Sequence, residues 1–276
     1  MPACPYCSSS DLTRDGHDQR GRVIRACRAC GRHATSESTS LVAGHRFPRD
    51  IILLAVRYYL QLGAAAERIA GILADRGVDV SGRTILRWVQ KFGAALSEQI
   101  RRYRTPVSTT WLVDETYVKI LGKWHYLYRG VDQDGQVLDC WLSRTRDLAA
   151  ALAFFRRSST GCMPEYVVTD KATFYPSAIL TYAPGAKHTA TGFYNLVIST
   201  NRCERSHGYV KTRIRPMRGL KSFACATRLF SALDALQLVE RDFVRVPPIG
   251  APCAGGRSYV RASRIAAVIT RLGRTL

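Results

Sequence analysis

The feature that most constrains the fold of this chain is a change in the spacing of its apolar residues at Trp111. Upstream, apolar residues recur at helical intervals. Downstream, aromatic and β-branched residues form runs that are typical of strands. Three such runs follow one another: WLVDETYVKI, KWHYLYRGVD and QVLDCWLS. Leu-Gly and Gln-Asp-Gly separate them, and both are typical of turns. The sequence therefore predicts three strands joined by short turns.

Helices and further strands are predicted after these three strands. RDLAAALAFFRRS is helical, with Leu148, Leu152 and Phe155 on one side, and PEYVVTD is a short strand of the buried type. FYPSAIL is predicted as a short helix or a loop. KHTATGFYNLV shows no clear helical or strand periodicity, and a short strand is one interpretation of it. Two more helices are predicted, the first ending before Pro216: NRCERSHGYVKTRIRPM and SFACATRLFSALDALQLVERDF.

The order strand, strand, strand, helix, strand, helix predicts an α/β fold of the ribonuclease-H-like class, a mixed sheet with helices. In that fold the first strand lies beside the fourth. Asp114, within the first strand, should then lie near Asp170, which ends the fourth. The closing helix is expected to bring Glu204 to the same place.

Two carboxylates from strands and a third from a helix can hold two Mg²⁺ ions for phosphodiester chemistry. Glu115 is expected on the opposite face of the strand from Asp114, and Asp114 is therefore favoured over it as a ligand. His207 is expected at the surface. Ordinary alternatives exist for each acid: an exposed strand aspartate, a helix N-cap for Asp170, or a surface ion pair of Glu204 with Lys211 or Arg205.

The charge of the chain favours a polyanionic partner. Forty-one Lys and Arg face twenty-one Asp and Glu, a formal net charge of +20. Nucleic acid is the favoured interpretation, with ribosomal-type or membrane-surface binding as alternatives. No apolar run approaches the ~20 residues that span a bilayer, and MPACPYCSSS lacks the pattern of a secretory signal. We therefore expect no membrane partner and a cytoplasmic protein.

Residues 1–40 predict a structural zinc ribbon. Cys4-x-x-Cys7 and Cys27-x-x-Cys30 would supply four thiolates to a tetrahedral Zn²⁺, and so polar a segment could not fold on burial alone. His17 or His33 as substitute ligands, and two unrelated redox pairs, are the alternatives.

Residues 45–100 predict a helix-turn-helix for DNA binding. RDIILLAVRYYLQL places Ile51, Leu54, Ala55, Tyr58 and Leu62 on one face, AAERIAGILADRG stops at Gly77, and Ser81 is the expected N-cap of GRTILRWVQKFG. In this third helix Ile85, Trp88, Val89 and Phe92 share the apolar face. The residues predicted to contact DNA lie largely outside that face: Arg83, Thr84, Arg87, Gln90 and Lys91. A trihelical bundle without DNA is the alternative.

Three longer stretches resemble a known family: VDETYVKI, VVTDKA and NRCERSHGYVKTRIRPMRGLKSF are similar to the DDE transposases of bacterial insertion sequences, specifically insertion-sequence family six. The resemblance covers roughly residues 44–243, and a zinc ribbon occurs in some branches of the family. It assigns residues 108–243 to a DDE catalytic domain. The basic segment 245–276 has no counterpart in this resemblance; an appendage on nucleic acid or a partner and disorder are both open.

The resemblance implies an enzyme that cuts DNA at its own terminal inverted repeats and joins the freed 3′-hydroxyls to target DNA in replicative transposition. Asp114, Asp170 and Glu204 would be its catalytic acids, holding two Mg²⁺ with Mn²⁺ as a substitute. Lys211 matches the basic residue that could contact DNA phosphate, and for Lys211, Arg213 and Arg215 alike a solvated basic face is the alternative. A bacterial cytoplasmic, nucleoid-associated location is implied as well. Double-stranded DNA is the implied partner, with a homodimer or higher oligomer in the synaptic complex. A ribonuclease-H-like nuclease without strand transfer and an inactive DNA-binding regulator are the alternatives.

Overall fold

The computed structural model describes residues 3–19, 21–35, 45–158, 161–190, 201–217 and 219–245. Its amino-terminal part is a small antiparallel sheet with the strand order β1-β2-β3: β1 (Leu12–His17), β2 (Val23–Cys27) and β3 (His33–Ala34). Cys4 and Cys7 precede β1, Cys27 ends β2, and Cys30 lies in the turn before β3. The sheet thus brings the two CxxC units to one end.

Three helices follow: α1 (Arg49–Leu62), α2 (Ala66–Ala74) and α3 (Gly82–Arg102). The Ser81 hydroxyl accepts a hydrogen bond from the Thr84 N–H at 3.3 Å, so the predicted N-cap of α3 is confirmed. The buried face of α3 contains the four predicted residues Ile85, Trp88, Val89 and Phe92. The helix continues to Arg102, beyond the predicted end at Gly93.

The predicted face of α1 is right in part. The fully buried residues of α1 are Ile52, Leu53, Ala55, Val56, Tyr59 and Leu60. Of the predicted residues, Ala55 is buried, Leu54 and Tyr58 are partly buried against the same core, and Leu62 is 60% exposed. Because α1 carries apolar residues on most of its circumference, spacing alone could not show which stripe meets the neighbouring helices.

The remaining elements form one mixed sheet with its helices, in chain order: β4 (Thr110–Ile120), β5 (Lys123–Asp132), β6 (Val137–Ser143), α4 (Leu148–Ser158), β7 (Tyr166–Thr169), α5 (Tyr175–Tyr182), β8 (Lys187–Ala190), α6 (Asn201–Ile214) and α7 (Phe223–Glu240). The strand order is β6-β5-β4-β7-β8. The pairs β4–β5 and β5–β6 are antiparallel, whereas β4–β7 and β7–β8 are parallel. The first strand therefore lies beside the fourth, and the predicted ribonuclease-H-like fold is confirmed.

The alternatives left open for two segments are resolved in part. FYPSAIL lies largely in the helix α5, and the first residues of KHTATGFYNLV form β8. Residues 191–200 and 246–276, with most of the basic tail, lie outside the described residues. In α4 the residues that face inward are Ala150, Ala151, Phe154 and Phe155, whereas Leu148 is 39% exposed. The predicted face of α4 is therefore right for Phe155 and for Leu152, which is partly buried against the same core, and wrong for Leu148.

The two faces of the sheet are covered by different helices. Helices α4 and α5 cover one face, where Trp111, Val113 and Tyr128 are buried. The other face, with Leu112, Val118 and Leu127, shares a continuous apolar core with α1, α2, α3, α6 and α7. Helix α3 packs along α7, and its Arg101 guanidinium is hydrogen-bonded to both carboxylate oxygens of Asp139 in β6. The helices of residues 49–102 are thus packed directly on the sheet and α7.

No helix within the described ranges has the length and the apolar character needed to cross a bilayer.

Candidate active site

Two aspartates meet where β7 ends beside the middle of β4. Leu112 in β4 is in register with Val168 in β7, so Asp114 and Asp170 each lie two residues further along adjacent parallel strands. Asp170 follows the last residue of β7. Asp114, by contrast, lies mid-strand rather than at a strand end, because β4 continues to Ile120. Oxygens of Asp114, Glu115 and Asp170 lie within 4.8 Å of one another.

Glu115 belongs to this cluster although strand alternation sets it on the other face. Its carboxylate is on the face covered by α4 and α5, where it accepts a hydrogen bond from the Tyr175 hydroxyl at 2.5 Å and pairs with Arg146 Nε. The residue is 9% exposed. Burial raises the pKa of the Glu115 carboxyl, and nearby Asp170 raises it too, against the hydrogen bonds from Tyr175 and Arg146. Glu115 thus lies on the opposite sheet face, as expected, and one of its carboxylate oxygens still lies within 4.8 Å of oxygens of Asp114 and Asp170.

Arg146 bridges two of the three carboxylates. Besides its contact with Glu115, its Nη2 lies 3.3 Å from Asp170 Oδ2. The residue precedes α4, and its guanidinium lies 5.7 Å from the centre of the Phe174 ring. Arg146 thus supplies a positive charge at the place where the acids cluster, and a cation bound to Asp170 has to compete with it.

Asp114 is held on its other side by His207 of α6. The Nε2 atom of His207 lies 3.3 Å from Asp114 Oδ2, and the histidine is 5% exposed. Burial lowers the pKa of His207, against the nearby Asp114 carboxylate, which raises it. The expectation of a surface histidine was wrong, because α6 buries the face that carries Cys203, Ser206, His207 and Val210.

Glu204 lies one helical turn before His207, in the first turn of α6, and is exposed. It is not among the carboxylates that lie within 4.8 Å of one another in the described residues. Residues three or seven positions apart share a helix face, so Glu204, His207 and Lys211 form one edge of α6. His207 brings this edge against Asp114.

A buried arginine fixes α6 behind the acids. Arg129, the register partner of Asp114 on β5, is fully buried. Its Nη1 lies 2.8 Å from Asp234 Oδ1 of α7, and its Nη2 donates to Ser206 Oγ of α6 at 3.0 Å and to Gln237 Oε1 at 2.9 Å. Losing one partner of such a buried pair typically costs about 3–5 kcal/mol. Arg129 therefore joins the strand behind Asp114 to the helices α6 and α7.

Comparison with known proteins places this site in a family. A family model described as a DDE domain matches residues 108–242. The transposase for insertion sequence-like element IS431mec of Staphylococcus aureus (strain Mu50 / ATCC 700699) is 35% identical over 175 residues, which are 61% of this chain and 75% of that protein. The chain belongs to the DDE transposases of insertion-sequence family six. It is an enzyme of DNA cleavage and strand transfer.

Two further similarities were found for the transposase. The transposase for insertion sequence element IS257 in transposon Tn4003 of Staphylococcus aureus is also 35% identical over 175 residues, with the same coverage of 61% and 75%. Among solved structures, the HTLV-2 integrase catalytic core domain in complex with magnesium (trimeric form) is 17% identical. That similarity covers 57% of this chain and 99% of the integrase chain, with a TM-score of 0.35.

The α3 residues that the sequence assigned to DNA binding lie on the open side of that helix. Arg83, Arg87 and Lys91 are exposed, and Thr84 and Gln90 are half-buried. Arg83, Arg87, Gln90 and Lys91 line a groove together with Leu86 of the same helix and with Cys225 and Arg228 of α7. Gln90 Nε2 donates to the Cys225 carbonyl at 3.4 Å, so this side chain contacts α7. The groove therefore lies between the predicted DNA-binding helix and the helix that closes the catalytic sheet.

The three basic residues assigned to the end of α6 differ in their surroundings. Lys211 and Arg215 are exposed. Arg213 Nη2 instead lies 3.1 Å from Glu240 Oε2, and its guanidinium lies 3.4 Å from the centre of the Tyr209 ring. Arg213 is thus engaged within the transposase.

The four cysteines have the geometry of a tetrahedral thiolate site. The Sγ atoms of Cys4 and Cys30 are 3.7 Å apart, those of Cys7 and Cys27 are 3.5 Å apart, and all four lie within 4.8 Å of one another. Four sulfurs at about 2.3 Å from one Zn²⁺ lie about 3.8 Å from each other. The alternative ligands are engaged elsewhere, His17 with Arg14 at 3.0 Å and His33 with Asp15 at 2.7 Å. The donor set therefore fits zinc.

Four residues near Asp114 and Asp170 were not assigned to the site from the sequence. Glu115 and His207 were considered and placed elsewhere, and Arg146 and Tyr175 were not considered. Glu115 follows Asp114 directly, and its acidity was the only available signal. Arg146 and Tyr175 flank ordinary helices, and nothing in their local patterns indicates a shared carboxylate. Their roles depend on the approach of separate loops and helices to one end of the sheet.

Proposed function

We propose that the transposase cleaves DNA at the terminal inverted repeats of its own insertion sequence and joins the 3′-hydroxyl ends to target DNA. The observation that carries this proposal is the meeting of Asp114 and Asp170 where β7 ends beside the middle of β4 in a ribonuclease-H-like sheet. The +20 net charge supports a DNA substrate. Since its substrate is DNA, its place of action is the nucleoid in a bacterial cytoplasm.

Asp114, Asp170 and Glu204 are the proposed ligands of two Mg²⁺ ions, for which Mn²⁺ would substitute. Carboxylate oxygens are the donors that such hard cations prefer, and the two aspartates already lie within 4.8 Å of each other. Bound at this site, the ions would activate the attacking oxygen and stabilise the leaving 3′-oxygen. Glu204, one turn from the histidine that contacts Asp114, would complete the set from α6.

The surrounding residues orient these ligands. His207 holds Asp114 Oδ2 through its N–H and leaves Oδ1 of that carboxylate for a ligand role. Arg146 pairs with both Glu115 and Asp170, and a cation held by Asp170 would replace the contact of Arg146 with that carboxylate. The contacts of buried Arg129 with Ser206 and Asp234 fix the distance of α6 from the sheet, and therefore the position of Glu204.

The proposed DNA contacts use the open surface of α3 and the exposed end of α6. Arg83, Thr84, Arg87, Gln90 and Lys91 would bind the terminal inverted repeats, and Lys211 and Arg215 would contact phosphates. Arg213 is left out of this set because it is engaged with Glu240 and Tyr209.

The proposed units of the transposase are a zinc ribbon in residues 1–40, a helix-turn-helix in 45–100, the catalytic domain in 108–243 and a basic tail in 245–276. Zn²⁺ would be held by Cys4, Cys7, Cys27 and Cys30. Because two DNA ends must be held together for joining, a homodimer or higher oligomer would form the synaptic complex.

A strand-joining assay tests the proposal. Purified full-length transposase is incubated in Mg²⁺ with a supercoiled plasmid and a labelled duplex that ends in the terminal repeat flanking its gene. We expect the label to become covalently attached to the plasmid through the 3′-hydroxyl. Duplex cleavage without attachment in either Mg²⁺ or Mn²⁺ would contradict strand transfer and favour a nuclease.

The role of α3 is tested by replacing Arg87 with alanine. Removing one phosphate contact should weaken duplex binding about tenfold and reduce the slope of log affinity against log salt by about one. Fluorescence anisotropy at several salt concentrations measures both quantities. Arg102→Ala is the matched control, since Arg102 is exposed at the opposite end of the same helix, beside Glu98. Equal losses in the two variants would refute a specific role for this surface.

A further inference from the structure

The outer half of the β4–β5 hairpin has one buried face and one open face. Val118, Ile120 and Leu127 on the buried face are at most 3% exposed. On the open face, Tyr117 is 53% exposed and Trp124 is 60% exposed. Solvent-facing positions of a sheet are normally polar, so large exposed aromatic side chains at this place indicate a binding surface.

The open face carries aromatic rings in register across the two strands. Tyr117 is paired with Tyr126, and their ring centres are 5.2 Å apart. Lys119 is paired with Trp124, with its Nζ 5.5 Å from the centre of the indole ring. Trp124 in turn meets the Tyr117 ring edge-on at 6.2 Å. The rings thus form one connected aromatic surface with a lysine beside it.

The hairpin that carries this surface is anchored at its tip. Its turn places Leu121 at φ 49° and Gly122 at φ 78°. A leucine seldom adopts this left-handed conformation, and here it is also 68% exposed. The Leu121 N–H donates to the Leu220 carbonyl at 3.0 Å, and Ile120 bridges to the same residue. The surface is therefore held in a fixed position relative to the sheet.

This aromatic surface adjoins the acids. Tyr117 is two residues beyond Glu115 on the same face of β4, which places it about 7 Å along the strand. Residues 116–126 contain two lysines, Lys119 and Lys123, both exposed, and no acidic residue. Aromatic rings beside cationic side chains bind unpaired nucleotides, because every base offers a π-face for stacking.

We propose that Tyr117, Trp124 and Tyr126, with Lys119, form a stacking surface for unpaired bases of the DNA strand beside the active site. This inference rests on the proposed function, since it assumes that the acids act on a DNA end. Stacking is tolerant of base sequence, so the surface would serve both the terminal repeat and varied target DNA.

The test uses the fluorescence of Trp124 as a direct reporter. Trp88 and Trp111 are at most 2% exposed and Trp141 is half-buried, so Trp124 is the open indole. Full-length transposase is titrated, without added Mg²⁺, with a blunt duplex and with the same duplex carrying ten unpaired nucleotides at a 3′ end. We expect the tailed duplex to quench the tryptophan emission. Trp124→Ala should bind it about tenfold more weakly, with less than a twofold effect on the blunt duplex.

Two control variants separate stacking from other effects. Trp124→Phe keeps a ring and should retain most of the affinity for the tailed duplex. Tyr166→Ala removes another exposed ring that lies beside a lysine, with Lys187 Nζ 5.6 Å from its centre, but at the start of β7, away from Asp170. It should leave both affinities unchanged. Thermal unfolding followed by circular dichroism checks that each variant is folded.

Three results would contradict the proposed stacking surface. The first is an absence of quenching in the unmodified transposase, and the second is an equal loss of affinity for both duplexes in Trp124→Ala. The third is a change of oligomeric state with unchanged DNA affinity. The last result would assign the surface to a second copy of the chain. If the transposase does not prefer the tailed duplex but still joins strands in Mg²⁺, the stacking surface is refuted and the proposed function is not. A tail preference without joining supports the surface and contradicts the proposed function.

Discussion

Replacing Asp170 by asparagine is expected to abolish DNA cleavage and strand joining while leaving DNA binding intact. Asparagine has nearly the same shape but lacks the negative charge that a divalent cation requires from this ligand. We expect the rate of 3′-end release in Mg²⁺ to fall by at least about 10³-fold. The fold should tolerate the change, because the Asp170 side chain is 36% exposed and such an ion pair with Arg146 contributes only about 0–1 kcal/mol.

Asp134→Asn is the matched control for this experiment. Asp134 is an exposed aspartate in the turn between β5 and β6, and the same chemical change there should not alter cleavage. Cleavage is measured by gel separation of a labelled terminal-repeat duplex, and binding by anisotropy of the same duplex. An unchanged cleavage rate in Asp170→Asn would contradict the assignment of Asp114, Asp170 and Glu204 as the catalytic acids. A loss of duplex binding would instead show that Asp170 serves the structure or the DNA surface.

The strands were predictable because their side chains alternate between two faces that have different environments. The predicted second strand, residues 123–132, coincides with β5, and the predicted first strand differs from β4 by one residue at its start. Tight turns at Leu-Gly and Gln-Asp-Gly limited the register of the hairpins. The order of elements then restricted the sheet to a topology in which the strand of Asp114 lies beside the strand of Asp170.

The packing partners of each side chain were less accessible from the sequence. Helix α1 is apolar on most of its circumference, and its inward stripe is decided by the helices that meet it. His207 was expected in solvent because its segment is polar and basic, yet α6 lies against β4 and β5 and buries it. Glu115 points away from Asp114, as alternation requires, but the long side chain reaches the same end of the sheet. All of these are tertiary contacts, and the residues adjacent in sequence carry no pattern that predicts them.

Removal of zinc is expected to unfold the amino-terminal sheet while the rest of the chain stays folded. Within residues 3–19 and 21–35, the buried apolar side chains are Cys4, Cys27 and Ala34, and two of these are proposed ligands. So small a core cannot offset the conformational entropy of ordering the segment. Structural zinc sites supply about 10–16 kcal/mol of apparent binding free energy, which becomes folding free energy. We therefore expect one zinc per chain and loss of the sheet on chelation.

Cys27→Ser makes the same test without a chelator. It should lower the zinc content to near zero and make the amino-terminal segment sensitive to brief proteolysis, with the region from α1 to α7 remaining resistant. Cys225→Ser is the matched control, since Cys225 is a half-buried cysteine on α7, outside the four-cysteine cluster. Elemental analysis gives the zinc content, and mass spectrometry of the fragments locates the cleavage. A purified protein that lacks zinc yet keeps a protected amino-terminal segment would rule out the metal site, because so small a buried core does not hold that sheet by itself.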